Sequence, residues 1–337
     1  MSTLQFVWFG LIGLLFAIFF FLEGFDFGVG MSIGTLTKSE KEVDQAMATI
    51  GPVWDGNEVW LLTAGGAMFA SMPYWYASLF SAYYLMMFII LIGLILRGSS
   101  FEFRATHPDA AHKKLWGRLC ALGSFIAPFT LGMVFTSFIQ GIPLDGQGNA
   151  TMHFFNYVNW LSIVGGVAVA LLCYMHGLNY IALRTEGELR DRAKKYANIL
   201  YYILYAGEVV FAILLFVFTD FGKRHLVGTL IFLALIVLLT VIAHISVMRG
   251  AEKTAFITSG LTLVAVVVLI FQGIYPYVMI GKDGVNSILI KNATSSPYTL
   301  QVMTIVALCT VPIVLAYTIW TYWVFSKRIT ADKIPAY

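Results

Sequence analysis

The stretch Gly51-Pro-Val-Trp-Asp-Gly-Asn-Glu-Val-Trp-Leu-Leu-Thr-Ala-Gly-Gly-Ala-Met-Phe-Ala70 is apolar enough to span a bilayer, yet it carries two acids near its start. These acids, Asp55 and Glu58, lie one helical turn apart. A carboxylate inside a membrane helix costs about 2.5–3.5 kcal/mol on insertion scales, so such residues usually have a function. A second pair with the same spacing, Glu23 and Asp26, lies in the apolar segment before it. Two acid pairs on consecutive spans predict proton handling.

The composition indicates an integral membrane protein. Of the 337 residues, 59 % are hydrophobic and only 12 % are charged, whereas soluble domains carry about 25 % charged residues. No basic helix or aromatic–basic groove is present, which argues against a nucleic-acid partner. Three cysteines (Cys120, Cys173 and Cys309) are widely spaced within apolar runs, so neither a disulfide framework nor a metal site is expected.

Nine segments approach the length of about 20 apolar residues that a membrane-spanning helix needs. We therefore predict an all-α integral membrane protein with a single transmembrane domain over residues 1–337. The predicted spans are 4–33, 51–70, 74–97, 116–140, 158–183, 199–218, 226–248, 255–279 and 300–325. The short link Ser71-Met-Pro-Tyr74 predicts a tight helical hairpin, in which Pro73 is acceptable as a first helical residue.

The positions of lysine and arginine predict the orientation, because cytoplasmic loops carry an excess of both. Of the 21 basic residues, 17 lie on the side of the C-terminus and four on the other side: Lys223, Arg224, Lys282 and Lys291. The N-terminus is therefore predicted outside and the C-terminus in the cytoplasm. In this orientation both acid pairs fall in the inner half of the membrane. The positive end of the second helix dipole then favours an ionised Asp55.

Less specialised explanations compete with these functional ones. Asp55 and Glu58 could be interfacial residues wetted by lipid headgroups, an alternative that is stronger for Glu58 than for Asp55. The glycines around Asp26 permit close helix packing but lack the strand–turn–helix setting of a nucleotide-binding loop. For the segment Arg97-Gly-Ser-Ser-Phe-Glu-Phe-Arg104 the plain role is topogenic and interfacial, with Glu102 pairing an arginine.

Two histidines within apolar spans, His176 and His244, are candidates for haem ligands. Each is alone, without a partner at helical spacing, so a histidine hydrogen-bonded between helices is favoured over axial ligation. Glu208 is an isolated acid in mid-span, and such a residue more often hydrogen-bonds within the bundle than conducts protons. No nucleophile–base pair, metal cluster or phosphate loop is visible in the sequence, so we expect no complete active site on this chain.

Several motifs closely resemble subunit II of the cytochrome bd-type quinol oxidases, including the cyanide-insensitive branch. They are Gly24-Phe-Asp-Phe-Gly-Val-Gly-Met31, Pro52-Val-Trp-Asp-Gly-Asn-Glu-Val-Trp60, Leu62-Thr-Ala-Gly-Gly-Ala67, Phe101-Glu-Phe-Arg104, Tyr275-Pro-Tyr-Val278, Ala293-Thr-Ser-Ser296 and Val311-Pro-Ile-Val-Leu315 with Tyr317. The similarity runs essentially from end to end. Subunit I of such oxidases is excluded, because the chain lacks a Gly-Arg-Gln-Pro-Trp motif and a long outward hydrophilic loop.

The resemblance implies a nine-helix fold of two four-helix bundles plus one peripheral helix. It implies a haem-free subunit of an oxidase in the bacterial cytoplasmic membrane, which oxidises quinol and reduces O2 to water. Subunit I, the implied partner, would hold two haems b and one haem d, while this chain would bind no cofactor of its own. A small single-span subunit and a lipid or structural quinone are further candidate partners.

The resemblance also implies roles for the acids. Asp55 matches the proton-path aspartate of the second span, Asp26 matches a first-span aspartate proposed to line such a path, and Glu23 matches an acidic position. Glu58 stands where other members carry glutamine. We therefore predict a proton relay through Asp55 and Asp26. The alternatives are a proton-coupled secondary transporter, for which paired broken helices are missing, and an assembly factor or anchor for a redox protein.

Overall fold

The computed structural model describes residues 1–150, 152–282, 284, 286–330 and 334, and most of them are helical. The elements are α1 (Thr3–Thr35), α2 (Glu40–Ile50), α3 (Trp54–Ser71), α4 (Pro73–Ala82), α5 (Tyr84–Ala105), α6 (Ala110–Gln140), α7 (Phe154–Tyr157), α8 (Trp160–Arg184), α9 (Glu188–Phe218), α10 (Phe221–Arg224), α11 (Leu226–Met248), α12 (Glu252–Ile274), β1 (Tyr277–Met279), β2 (Ile288–Leu289), α13 (Ile290–Ala293) and α14 (Pro297–Val324).

Eight helices of the described residues are long and apolar enough to cross a membrane, namely α1, α5, α6, α8, α9, α11, α12 and α14. The chain is accordingly a multi-pass membrane protein. The predicted span 51–70 does form a helix, α3. It is not among the eight, because Asp55, Asn57 and Glu58 make its first two turns polar. The count of nine spans therefore stays a prediction.

The predicted single span 74–97 falls on two helices in the structure, with a break at Tyr83. Helix α4 begins at Pro73, within the predicted hairpin, but it ends at Ala82, and α5 begins two residues later. Between them, the hydroxyl of the fully buried Tyr83 lies 3.1 Å from Ser137 Oγ. The Tyr157 hydroxyl donates to the Ala82 carbonyl at 2.7 Å, which satisfies a carbonyl at the break.

The predicted span 255–279 is also too long at its C-terminal end. Helix α12 ends at Ile274, and residues Tyr277–Met279 form strand β1, which pairs antiparallel with Ile288–Leu289. Pro276 separates the helix from the strand and has no N–H to continue a helical ladder. An apolar run therefore crosses from helix into strand without a change in composition.

Helix α1 is central and packs against α3, α6, α8 and α12. Its crossing with α8 depends on Gly28 and Gly177, since a Cβ on Gly177 would lie 2.3 Å from the Gly28 carbonyl carbon. Small residues at such a crossing let two backbones approach closely. Helix α14 is peripheral, with Leu300 as its buried residue.

A helix that the sequence did not predict, α2, connects α1 to α3 outside the membrane-spanning segments. Arg104 Nη2 at the end of α5 lies 2.6 Å from Glu40 and 2.8 Å from Asp44 of α2. Glu102, predicted to pair with an arginine, is exposed, and no ion pair among the described residues includes it. That prediction is wrong because Arg104 turns towards α2.

Helix α2 is also joined to α9 by an ion pair between Glu42 and Arg192. Burial alone raises the pKa of Glu42, but the hydrogen bonds from Arg192 and from the Lys38 backbone outweigh it and hold this pKa below its usual value. The carboxylate therefore stays ionised and paired at neutral pH.

The segment after α14 returns to the same end of the bundle. The Ile329 backbone N–H donates to the Arg184 carbonyl at 2.8 Å, and its carbonyl accepts from the Gln45 side chain at 2.8 Å. Next to it, Arg328 Nη2 lies 2.5 Å from the buried carboxylate of Glu252. This segment thus connects α2, α8 and α12.

Candidate functional site

Helices α1, α3, α5 and α14 bring polar side chains together at the end of the bundle that carries α2. We call this group the carboxylate cluster; it consists of Glu23, Asp26, Asn57, Glu58, Arg97 and Tyr322. Because α1 and α3 pack against each other and are joined through α2, the last third of α1 faces the first turns of α3. Three of the four acids in the two predicted pairs therefore meet.

Arg97 lies at the centre of the carboxylate cluster. Its guanidinium forms an ion pair with Glu23, and its Nη2 lies 2.8 Å from Glu58 Oε2. Arg97 and Glu23 are fully buried, whereas the Glu58 side chain is 19 % exposed. The guanidinium carbon also lies 4.9 Å from the ring centroid of Phe27, a cation–π contact. The interfacial position predicted for the segment that begins at Arg97 is wrong for Arg97 itself, because its side chain is fully buried between α1, α3 and α5.

A hydrogen-bonded chain of three residues forms the other half of the cluster. Asn57 Nδ2 donates to Asp26 Oδ2 at 2.7 Å, and the Tyr322 hydroxyl donates to Asn57 Oδ1 at 2.8 Å. Asp26 is fully buried, and its Oδ1 has no hydrogen-bond partner among the described residues. Sequence reasoning missed both partners. Asn57 stands beside Glu58 and could have been found, whereas Tyr322 lies 265 residues further on.

Asp55 lies outside the carboxylate cluster. It occupies the first turn of α3 and is exposed, and no hydrogen bond or ion pair within the described part of the chain includes it. The same open face of α3 continues with Val59 and Leu62, which are 49 % and 69 % exposed. The roles predicted for Asp55, Asp26, Glu23 and Glu58 stay predictions, but their positions separate Asp55 from the other three.

The charge balance of the carboxylate cluster determines its chemistry. One guanidinium can neutralise one carboxylate, yet two carboxyl groups contact it, and a third, that of Asp26, lies one helical turn further along α1 from Glu23. An uncompensated charge buried away from water costs several kcal/mol. Proton binding removes that cost, so a cluster of this composition can accept and release protons.

The two histidines considered as haem ligands have both ring nitrogens engaged. His176 lies 2.8 Å from Ser259 Oγ through Nδ1 and 3.0 Å from the Phe21 carbonyl through Nε2. His244 lies 2.9 Å from the Tyr205 hydroxyl and 3.0 Å from an asparagine side chain. This geometry is that of histidines hydrogen-bonded between helices.

The remaining candidates also lie in packing contacts. Glu208 accepts a hydrogen bond from the Thr240 hydroxyl at 2.6 Å. Within the described part of the chain, no group of three or more His, Cys, Asp or Glu residues is arranged to hold a metal ion. Cys120 and Cys173 are buried and free, and Cys309 is exposed on α14.

Fold and site together define a class: a multi-pass helical membrane protein with a buried acid–guanidinium cluster at one end of its bundle. Residues 4–325 match the family described as cytochrome bd terminal oxidase subunit II. The chain therefore belongs to the cytochrome bd oxidase subunit II family, which confirms the resemblance seen in the sequence.

Individual relatives agree with this assignment along their whole length. The chain is 41 % identical over 338 residues to cytochrome bd ubiquinol oxidase subunit 2 of Bacillus subtilis, covering 100 % of both chains. It is 30 % identical over 369 residues to cytochrome bd-I ubiquinol oxidase subunit 2 of Escherichia coli, covering 99 % of this chain and 97 % of the relative. The fold matches a chain in the bd oxidase structure from Geobacillus thermodenitrificans with a TM-score of 0.75, at 16 % identity, covering 97 % of this chain and 100 % of that one.

Proposed function

We propose that this chain is the haem-free subunit II of a bd-type oxidase, a complex that oxidises quinol and reduces O2 to water. Family membership and the full-length coverage of relatives named as oxidase subunit 2 support this function. The complex carries haem and includes a partner subunit I. Family membership does not favour the transporter alternative.

The finer composition of the complex belongs to the same proposal. Two haems b and one haem d reside in subunit I, and the engaged ring nitrogens of His176 and His244 support a haem-free chain. A lipid or structural quinone is a further candidate partner. An apolar cavity of about 660 Å³ beside α3, lined by Leu62, Phe88 and Leu131 among others, supports it. A small single-span subunit is the last candidate partner. The complex lies in the bacterial cytoplasmic membrane.

The proposed topology has nine spans, with the N-terminus outside and the C-terminus in the cytoplasm. Helix α3 is the span that is added to the eight, since its 18 residues extend about 27 Å at the rise of an α-helix. The distribution of basic residues supports the orientation. The exposure of α14 supports its role as the peripheral helix beside two four-helix bundles.

The carboxylate cluster is the proposed proton-loading site of this subunit. The observation that carries this role is the excess of carboxyl groups over the single buried guanidinium of Arg97. Reduction of O2 to water consumes protons, and in the proposed orientation the cluster lies near the cytoplasm. Asp55, on the open face of α3, is the entry residue, and Asp26 receives the proton in the interior.

The replacement Asp26→Asn in the assembled complex tests this role. The amide keeps the shape of the side chain but cannot carry a proton. Quinol-driven O2 consumption is expected to fall by about a hundredfold or more, since proton-transfer groups typically contribute about 10²–10⁴-fold, with an intact haem spectrum. Asp55→Asn is expected to act in the same direction. Glu102→Gln, an exposed acid outside the cluster, is the control and should leave turnover unchanged.

The outcomes distinguish a relay from a structural role. Unchanged turnover in Asp26→Asn, with full haem content, would contradict the relay. Loss of the haem signal would show instead that Asp26 mainly holds the complex together. A purified complex without any haem-bearing partner would reject the oxidase function itself.

A further inference from the structure

A second polar feature lies at the end of the bundle opposite the carboxylate cluster. There, the ends of α6, α9 and α12 and the short helix α10 enclose a pocket of about 370 Å³. Its lining includes three cations, Lys223, Arg224 and Lys282, and among the described lining residues one carboxylate, Asp220. Only four basic residues are expected on this side of the membrane, so three of the four converge on one pocket.

The backbone holds these cations in place. Lys223 and Arg224 belong to α10, whose chain turns back between α9 and α11. The backbone N–H of Lys282 donates to the Ile142 carbonyl at 2.8 Å, next to a parallel bridge between Ile142 and Gly281. The fold therefore fixes the backbone positions from which these side chains reach the pocket.

Asp220 neutralises this pocket only in part. Its oxygens lie 3.2 Å from Lys223 Nζ and 3.4 Å from Arg224 Nη2. The Nη1 of Arg224 is buried and has no hydrogen-bond acceptor among the described residues, and the guanidinium carbon lies 5.1 Å from the Tyr277 ring centroid. No described residue forms an ion pair with the Lys282 side chain. The partly exposed guanidinium of Arg224, whose side chain is 25 % exposed, and the ammonium group of Lys282 can therefore still bind an anion.

The surroundings of the pocket indicate which anion fits. Its rim includes Phe216, Val217 and Phe218, exposed apolar residues at the end of the membrane helix α9. The ligand must therefore combine a negatively charged head with apolar chains. Guanidinium and ammonium groups bind phosphate oxygens through strong charge-assisted hydrogen bonds.

We propose that this pocket binds the phosphodiester headgroup of an anionic phospholipid from the leaflet on that side, with its acyl chains lying along α9. The phosphodiester oxygens contact Arg224 and Lys282, and the apolar rim contacts the glycerol and the first methylene groups.

Native mass spectrometry of the delipidated oxidase complex, titrated with dioleoylphosphatidylglycerol, tests the proposal. Saturable binding of this lipid is expected, with weaker binding of dioleoylphosphatidylcholine. The double variant Arg224→Gln/Lys282→Gln is expected to bind phosphatidylglycerol about fivefold more weakly or worse, since each basic group near a membrane surface contributes to attraction of anionic lipid. Lys282→Gln alone should show a smaller loss of affinity for phosphatidylglycerol. Because Lys282 is exposed, this replacement is expected to leave the fold intact.

Lys291→Gln is the matched control, because Lys291 is the fourth basic residue on this side and does not line the pocket. Equal weakening by Lys291→Gln and by the pocket variants would show a general effect of surface charge and overturn the proposal. Unchanged affinity in the pocket variants would overturn it as well. Binding of inorganic phosphate at the same site with equal affinity would assign a free-anion site in place of a lipid site.

Discussion

At the scale of single residues, Arg97 connects two acids from different helices. Glu23 comes from α1 and Glu58 from α3, while Arg97 itself comes from α5. Removing one member of a buried ion pair leaves an uncompensated charge, which costs about 3–5 kcal/mol. The cluster therefore also contributes to the assembly of α1, α3 and α5.

The replacement Arg97→Gln is expected to destabilise the complex by up to about 3–5 kcal/mol, because Glu23 then lies buried without its partner; the loss is smaller to the extent that Glu23 binds a proton. Thermal unfolding of the purified complex measures this, with the exposed Arg118→Gln as control. The double variant Glu23→Gln/Arg97→Gln should recover part of the loss, since it removes both charges. A double variant as unstable as Arg97→Gln would contradict the electrostatic explanation.

Sequence reasoning found the acids of the cluster but not their partners. Glu23, Asp26 and Glu58 are conspicuous because charge is rare in apolar segments. Arg97 was misassigned because an arginine at the inner end of an apolar run also fits a topogenic role. Tyr322 had no local signal, since a tyrosine near a helix end is ordinary in a membrane protein. Only tertiary packing brings these two residues to the acids.

At the scale of helices, close backbone contacts determine the arrangement of the bundle. A Cβ added to Gly177 would approach the backbone of Gly28, which cannot move aside as a side-chain end can.

The break at Tyr83 shows what a hydropathy pattern cannot predict about a helix. Residues 74–97 are apolar on both sides of the break, so the pattern carries no trace of the hydrogen bonds that stabilise it.

Gly177→Ala is expected to force α1 and α8 apart at a cost of about 1–3 kcal/mol, the range for overpacking. The measurement is the thermal midpoint of the purified complex. Gly10→Ala on α1 is a matched control, because a Cβ there has no neighbouring atom within 4 Å. Equal midpoints for the two variants would show that the crossing tolerates a larger separation.

At the scale of the whole molecule, the distribution of charge gives the two ends of the bundle different characters. The end with α2 holds the carboxylate cluster and most basic residues, whereas the opposite end holds few. Composition alone identified the membrane class, and charge counting predicted an orientation. The number of spans is harder to predict, since the polar start of α3 lowers the hydropathy of the segment that also carries the family signature.

The orientation can be tested with single cysteines in a Cys309→Ser background, since Cys309 is exposed on α14. Lys291→Cys is expected to react with a membrane-impermeant maleimide in intact cells, because it lies on the predicted outer side. Lys195→Cys should react only after permeabilisation. The reverse pattern would invert the proposed topology and move the carboxylate cluster away from the cytoplasm.

The segment after α14 has a consequence for how the protein is made. Ile329 hydrogen-bonds with Arg184 and Gln45, and Arg328 pairs with Glu252. Ribosomes produce residues 325–330 after every helix that they join. The ends of α2, α8 and α12 that this segment joins therefore lack these contacts until translation is nearly finished, so the earlier helices are made before that end of the bundle is complete.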